Sequence, residues 1–462
     1  MPRSLKLPGF SFRPGTAFFV CFWGVVAVVS LWGIWGGSLD TWDEALTAER
    51  SREMFRQGWS MTVHRLGQPD FNKPPLYYWT AAAGLSLFGL GEFAVRLPSA
   101  LMGLACMFAV YRLARGYGAD RAAGMLAVFL LAVTPHWLNI SREGLLDSGM
   151  TLSMLLALWA YAFHPSPVRG AVWAGLALAL GFWIKNPCVL FILPAMFVHS
   201  LSRRDPHSWR ILLVLAVALA FGSAWYVHQA AVWGERFTDF YFDYNMKQRF
   251  TRDFQGHRSA VDFYLRYLFK ESPHMLVLAA ALAGAALVRM LRPGPCIAVQ
   301  STFIVTWLVL IHLMHSKRDP YIVPVYPFLA IAGADFLKSM WERPSAKIRY
   351  AILAFGVFAL AAWPGQYNFR IDKNPAMLDA IHAVPNDCGQ VLALNVPAHV
   401  ASFYLDRVVP ELEPGTAAPE GTCVLYNAKN SAQLPAALSG ATQAWSGRNG
   451  YSVWRVAPPA VR

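Results

Sequence analysis

Charge is scarce in this chain: only 15% of its 462 residues are Asp, Glu, Lys or Arg, against 56% hydrophobic. That mix fits neither a soluble enzyme nor a disordered segment. Several signatures are missing outright. No Walker loop, G-x-S-x-G elbow or G-x-G-x-x-G turn occurs, so nucleotide-driven chemistry is not expected. No H-E-x-x-H pattern occurs, and His257, His312 and His315 lack ligand-like spacing. The net charge of +13 is spread over short loops without a basic stripe carrying interleaved aromatics, which argues against nucleic acid. Neither an internal repeat nor a low-complexity tract is evident, which weighs against a repeat-built transporter. The first apolar run is too long for a signal-peptide core and no cleavage site follows it.

What the chain does have is a series of apolar runs of roughly 17 to 22 residues, from "GTAFFVCFWGVVAVVSLWGIWGG" to "RYAILAFGVFALAAWPG". About eleven are credible as membrane-crossing helices, so the chain reads as an all-α polytopic membrane protein. Basic loops set the orientation: the N-terminus (Arg3, Lys6, Arg13), "YRLARGYGADR", "SRRDPHSWR", "RMLRPGP" and "KSMWERPSAKIR" all fall inside only if "PPLYYWTAAAGLSLFGLG" does not cross. A proline pair opens that run and Gly84, Gly89 and Gly91 dilute it, so it is expected to lie in the interface on the outer face, the alternative being a true short span compensated elsewhere. Loops 38–93 and 232–271 then lie outside, as does a polar region from residue 367. That region alternates strand-like runs ("QVLALNV", "TCVLYN", "YSVWRVA") with helix-like ones ("NPAMLDAIHAV", "SAQLPAALSG"), which predicts a small α/β domain over 367–462 after a membrane domain over 1–366. Cys388 and Cys423 each precede a strand-like run there, and an exported domain could join them or leave them free.

Charged residues on the expected outer face are the candidates for chemistry. Asp43 and Glu44 sit where a helix emerges in "SLDTWDEALTAERSREMFRQG"; they either cap it or act as a base. Arg142 and Asp147 lie in "NISREGLLDSGMTL". Lys73, Lys185 and Lys317 each stand at the start of an apolar segment, where a cation either snorkels to headgroups or meets a lipid phosphate. Arg249 in "NMKQRF" adds a further cation. Tyr77, His257, Tyr264 and Tyr321 are candidate substrate contacts.

In order along the chain, "WDEALTAERSREM", "FNKPPLYYW", "EFAVRLPSALMGL", "SREGLLDSGMTL", "FQGHRSAVDFYLRYL" and "SKRDPYIVPVYPFLAI" resemble the C-type (GT-C) glycosyltransferases related to protein O-mannosyltransferases. The bacterial branch containing the aminoarabinose transferase of lipid A is the nearest likeness. The resemblance implies a bacterial inner-membrane, multi-pass enzyme with a cytoplasmic N-terminus. Its active site and C-terminal domain would be periplasmic. It would move a sugar from a polyprenyl-phosphate-linked donor to a lipid, glycan or protein acceptor, typically with inversion. It places Asp43 as the catalytic carboxylate, with Glu44 beside it and Asp147 as a second acidic site. Lys73, Arg142, Arg249 and Lys317 would serve the donor phosphate. Three departures bear on substrate and metal. Asn72 replaces a glutamate usual before the lysine, Asn245 and Met246 stand where a histidine is expected before Arg249, and Leu46 replaces an arginine. No cofactor is assigned: the resemblance allows a divalent metal, but its expected ligands are not evident. The competing reading is a secondary transporter whose charges bind substrate or ions; a partner-binding scaffold would leave Asp43 and Lys73 without a shared task.

Overall fold

The computed structural model describes residues 14–251, 260, 262–287, 294–361, 374–413, 415–428 and 435–457. The helical part begins with α1 (Pro14–Leu31) and α2 (Asp43–Gln57). A β1–β2 hairpin (Val63–Arg65, Gln68–Asp70) leads to α3 (Leu76–Phe88) and α4 (Glu92–Gly116). Next come α5 (Arg121–Ala132), α6 (Pro135–Arg142), α7 (Asp147–Phe163), α8 (Pro167–Ile184), α9 (Leu193–Ser202), α10 (Arg210–Gly222) and α11 (Ala224–Trp233). α12 (Glu235–Thr238), a π-helical turn (Asp239–Lys247), α13 (Gln248–Thr251) and α14 (Phe263–Glu271) fill the second long loop. α15 (Pro273–Leu287), α16 (Pro295–Leu313), α17 (Val325–Trp341) and α18 (Ala346–Ala361) complete the bundle.

Among the described residues, five helical stretches are long and apolar enough to cross a membrane: 92–116, 167–184, 210–233, 295–313 and 319–341. A sixth counts if α5 and α6, bent by 72°, form one broken span, and three shorter apolar helices accompany them. That is fewer uninterrupted spans than the eleven apolar runs suggested, because breakers divide the runs. Pro135 starts α6 after α5 has ended, and in "KNP" the Asn186 side chain accepts from the Cys188 N–H to open a 3₁₀ turn in place of continued helix. Residues 319–341 run through the centre of the bundle, while 210–233 present most of their apolar surface outward, as lipid contact requires.

α3 is thirteen residues long, so at 1.5 Å per residue it rises about 20 Å, short of the roughly 30 Å hydrocarbon core. Its Gly84 does more than dilute an apolar run. A Cβ there would sit 2.5 Å from the Ala94 carbonyl oxygen, so glycine is what lets α3 lie against α4. The β1–β2 turn carries positive φ at Leu66 (51°) and Gly67 (75°), and the buried Glu49 and Glu53 of α2 accept its two N–H groups at 2.9 and 2.8 Å.

The C-terminal unit holds α19 (Pro375–His382), β3 (Gln390–Leu394), α20 (Ala398–Tyr404), β4 (Thr422–Asn427), β5 (Thr442–Ser446) and β6 (Tyr451–Arg455). Its sheet has the order β3-β4-β6-β5, parallel between β3 and β4 and antiparallel elsewhere. The three expected strands are present, and β5 and α20 add to them. Of the helix expected in "SAQLPAALSG", residues 431–434 lie outside the described residues and the remainder holds only a 3₁₀ turn, Ala436–Leu438. The expected boundary near 366 also lies outside them. Cys388 and Cys423 are joined, with Cα atoms 5.9 Å apart. One apolar cluster runs from Leu39, Ala45 and Ala48 through Val95 to Val400, Ala401 and Phe403, so the C-terminal unit shares a core with α2.

Candidate active site

A cavity of about 910 Å³ opens between the helical bundle and the C-terminal unit. α2 supplies one wall: Asp43, Leu46, Thr47 and Arg50 all line it, the i, i+3, i+4, i+7 positions of one helix face. Asp43, at the first turn, is about half exposed and accepts a hydrogen bond at 3.2 Å from an Arg318 guanidinium nitrogen. Arg50 reaches Asp70 with two nitrogens on one carboxylate oxygen, at 2.8 and 2.5 Å, and both side chains are buried. Asp70 also accepts from the Asn72 backbone N–H (2.9 Å) and side-chain amide (2.8 Å). Burial would raise the Asp70 carboxyl, but Arg50 and the Asn72 donors outweigh it and hold it below the usual range.

The hairpin brings Arg65 and its exit brings Lys73 to the same cavity. Asp147, at the start of α7, and Lys185, at the end of α8, form a buried ion pair there, and the Lys185 ammonium lies 5.8 Å from the centroid of the Tyr321 ring. The roof comes from the C-terminal unit: Asn395, His399, Glu411 and Glu413. Cations and carboxylates therefore interleave across the site, and three pairs, Arg50–Asp70, Lys185–Asp147 and Arg318–Asp43, are in direct contact.

Asp43, Lys73, Asp147 and Tyr321 thus converge, as does Lys185. Other expected site residues do not. Glu44 is 1% exposed and points the other way: it takes Arg96 at 2.6 and 3.1 Å and the backbone N–H groups of Asp40 (2.7 Å) and Gly144 (3.1 Å). One residue along a helix is a 100° rotation, which is enough to move it from cavity to core. Arg142 is buried with donors on the carbonyls of Leu138 (3.0 Å) and Trp32 (3.1 Å), so it ties α6 to the end of α1 and does not line the cavity. Lys317 is buried and donates to the Met314 carbonyl at 3.1 Å. Arg318 has extended backbone just before a 3₁₀ turn and lines the cavity together with Ser316, Pro320 and Tyr321, whereas Lys317 does not line it. Tyr77 is buried against the Val95 carbonyl (3.3 Å) while Tyr78 lines the cavity. The buried Tyr264 hydroxyl donates to the Arg318 carbonyl at 3.3 Å and supports that segment from outside the cavity. His257, and the side chain of Arg249, lie outside the described residues.

Sequence reasoning passed over Arg50, Arg65, Arg318 as a cavity residue, and the whole roof. The position of Arg50 seven residues after Asp43 was the available signal; nothing local pointed to the roof.

The metal that the resemblance allowed does not fit the described residues. The Asn72 amide is spent as a donor to Asp70, and among the described residues no three His, Cys, Asp or Glu side chains gather as ligands.

The fold has known counterparts. Over 95% of this chain and 98% of the other, it superposes with a TM-score of 0.77, at 19% identity, on ArnT from Cupriavidus metallidurans, a crystal structure bound to undecaprenyl phosphate. Residues 72–228 match the family described as dolichyl-phosphate-mannose-protein mannosyltransferase. The chain has an ArnT-like GT-C fold. Among ArnT-like sequences, it is 30% identical to the undecaprenyl phosphate-alpha-4-amino-4-deoxy-L-arabinose arabinosyl transferase 1 of Pseudomonas fluorescens, over 69% of this chain and 59% of that one. It is 29% identical to the corresponding transferase of Pseudomonas savastanoi, over 64% and 56%. The chain therefore spans less than two thirds of the length of these curated relatives.

Proposed function

We propose that this protein transfers a sugar from a polyprenyl-phosphate-linked donor to an acceptor hydroxyl at the outer face of the bacterial inner membrane, with the N-terminus cytoplasmic and the C-terminal domain periplasmic. The observation that carries the reading is the convergence of a half-exposed carboxylate, Asp43, with Lys73, Arg65, Lys185 and Arg318 in one cavity. An acceptor oxygen attacks the anomeric carbon as the bond from that carbon to the phosphate oxygen breaks, and the electron pair leaves with the phosphate. The acceptor proton passes to the Asp43 carboxylate, a contribution of about 100- to 10,000-fold. The leaving phosphate is already an anion, so it needs fixed positive charge more than it needs a proton. Lys73 and Arg65 approach from the hairpin side, and Arg318 and Lys185 from the bundle side. Asp147 holds the Lys185 ammonium in place. Attack opposite the departing phosphate inverts the anomeric centre.

The sugar is hexosyl or pentosyl; the acceptor is a periplasmic lipid, glycan or protein. The departures at Leu46, Asn72 and Asn245 argue against the assumption that the pair is aminoarabinose and lipid A. Purified protein in lipid would be given undecaprenyl-phosphate-linked 4-amino-4-deoxy-L-arabinose or mannose together with an envelope lipid extract, and undecaprenyl phosphate release would be followed by mass spectrometry. Release is expected to fall at least 100-fold in Asp43→Asn while undecaprenyl phosphate affinity stays within about twofold. Full activity in that variant overturns the base assignment. Uptake of a free solute with no covalent product would return the transporter reading.

A further inference from the structure

The turn that delivers Asp43 to the cavity, residues 38–42, is held on one side by the Asp40 N–H on Glu44 (2.7 Å), the Trp42 N–H on the Asp40 carboxylate (3.1 Å) and Arg96 on the Ser38 carbonyl (2.9 Å). Trp42 precedes α2 without a side-chain cap, and the Ala45 N–H passes over Thr41 to reach the Asp40 carbonyl at 3.0 Å. The Thr41 carbonyl is therefore left out of the helix ladder, two residues before the carboxylate. Thr41 is half-buried, and a backbone carbonyl outside the helix ladder calls for another donor. It has a donor, and the donor comes from more than 350 residues away: His399 of α20 places Nε2 2.7 Å from the Thr41 oxygen. His399 is buried, and the Trp42 ring lies beside it, with ring centroids 6.1 Å apart. At the other end of α20, the Tyr404 hydroxyl accepts the Leu39 N–H at 3.0 Å and donates to Glu92 at 2.8 Å. Between these polar ends, Val400, Ala401 and Phe403 share an apolar core with Leu39, Ala45 and Ala48.

We infer that α20 is a clamp on the 38–42 turn and that His399 is a positioning residue, acting through the Thr41 carbonyl to hold Asp43 in register with the reacting centre. The inference rests on the reading of Asp43 as the base. It gives the C-terminal domain a part in the chemical step that is separate from any acceptor binding. Burial and the nearby Arg65 and Arg50 drop the His399 imidazole to about 4, against a smaller opposing pull from the Thr41 carbonyl, so the ring is neutral at physiological pH. A neutral ring with Nε2 at 2.7 Å from a carbonyl carries its proton on Nε2 and keeps its lone pair on Nδ1. The clamp therefore needs an N–H at the Nε2 position and no charge. The Gln side chain places an amide N–H at that reach, whereas Leu fills the space without a donor.

Two measurements test this on the full-length protein in lipid nanodiscs. Hydrogen exchange across residues 38–46 is expected to quicken at least tenfold in His399→Leu and to return to within about threefold of wild type in His399→Gln. With whichever of the two donors named above is turned over, kcat is expected to fall about 10- to 100-fold in His399→Leu, the scale of a small misplacement of a catalytic group. KM for the donor is expected to stay within about threefold, and Gln should restore kcat. Unchanged exchange in His399→Leu overturns the clamp, as does equal loss of kcat in the Leu and Gln variants. If His399→Leu keeps wild-type kcat while Asp43→Asn is dead, the clamp falls and the base survives. If Asp43→Asn is fully active, the base assignment falls first, and the exchange result decides the clamp alone.

Discussion

Replacing Asp70 by Asn removes one charge from a buried pair and leaves the other. Arg50 spends two nitrogens on one Asp70 oxygen and both groups are more than nine-tenths buried, so the variant strands a guanidinium beside an amide that cannot accept as strongly and that can turn an N–H₂ toward it. Breaking a buried pair in this way costs about 3–5 kcal/mol. The double variant Arg50→Met, Asp70→Leu removes both charges. It should lose less, about 1–2 kcal/mol, most of it from the Asn72 N–H and amide that lose their acceptor. The double variant is therefore expected to be about 2–3 kcal/mol more stable than Asp70→Asn, measured by denaturant unfolding in mixed micelles. The pH dependence has a fixed sign. The folded Asp70 carboxyl titrates below its unfolded value near 4, so its stabilisation is complete above that value and is lost as pH falls through the folded pKa. Wild type should lose this stabilisation in acid and the double variant should show no such loss. A single Asp70→Asn variant as stable as wild type, or a double variant no more stable than Asp70→Asn, would refute the account of the pair.

Other outcomes follow from the same geometry. Glu44→Gln is expected to cost about 3–5 kcal/mol, by stranding buried Arg96, and to show its effect in thermal stability before it shows in the chemical step; a variant as stable as wild type but inactive would restore Glu44 to the active site. Arg318→Ala should weaken undecaprenyl phosphate binding at least tenfold and Lys317→Ala less than threefold, read by titration in nanodiscs; the reverse order would refute the placement of Arg318, and not Lys317, at the cavity. Removing the bridge with Cys388→Ser and Cys423→Ser opens a loop of sequence separation 35 and is expected to cost the C-terminal domain about 3–4 kcal/mol, seen as faster proteolysis between residues 374 and 457; unchanged proteolysis would count against a stabilising bridge.

In "WDE", "SKRD" and "PLYYW" one of two adjacent candidates lines the cavity and its neighbour does not: Asp43 and not Glu44, Arg318 and not Lys317, Tyr78 and not Tyr77. A motif reports which segment reaches the site, but a side chain's direction changes by 100° per residue on a helix and by half a turn on an extended strand. Choosing between neighbours requires knowing where the helix axis or strand lies relative to the cavity.

The sequence by itself determined that the chain is a membrane protein, because apolar length and scarce charge answer directly to lipid. It also marked the run holding α3 as short for an ordinary span, and its ordered motifs singled out Asp43, Lys73 and Asp147, which all line the cavity. Only the tertiary structure decided the partners. The Arg50–Asp70, Lys185–Asp147 and Arg318–Asp43 pairs join residues 20, 38 and 275 positions apart, and His399 meets Thr41 across 358. Ion pairs and hydrogen bonds act over a few ångströms of space and are blind to distance along the chain, so the packing that brings these groups together is what selects them.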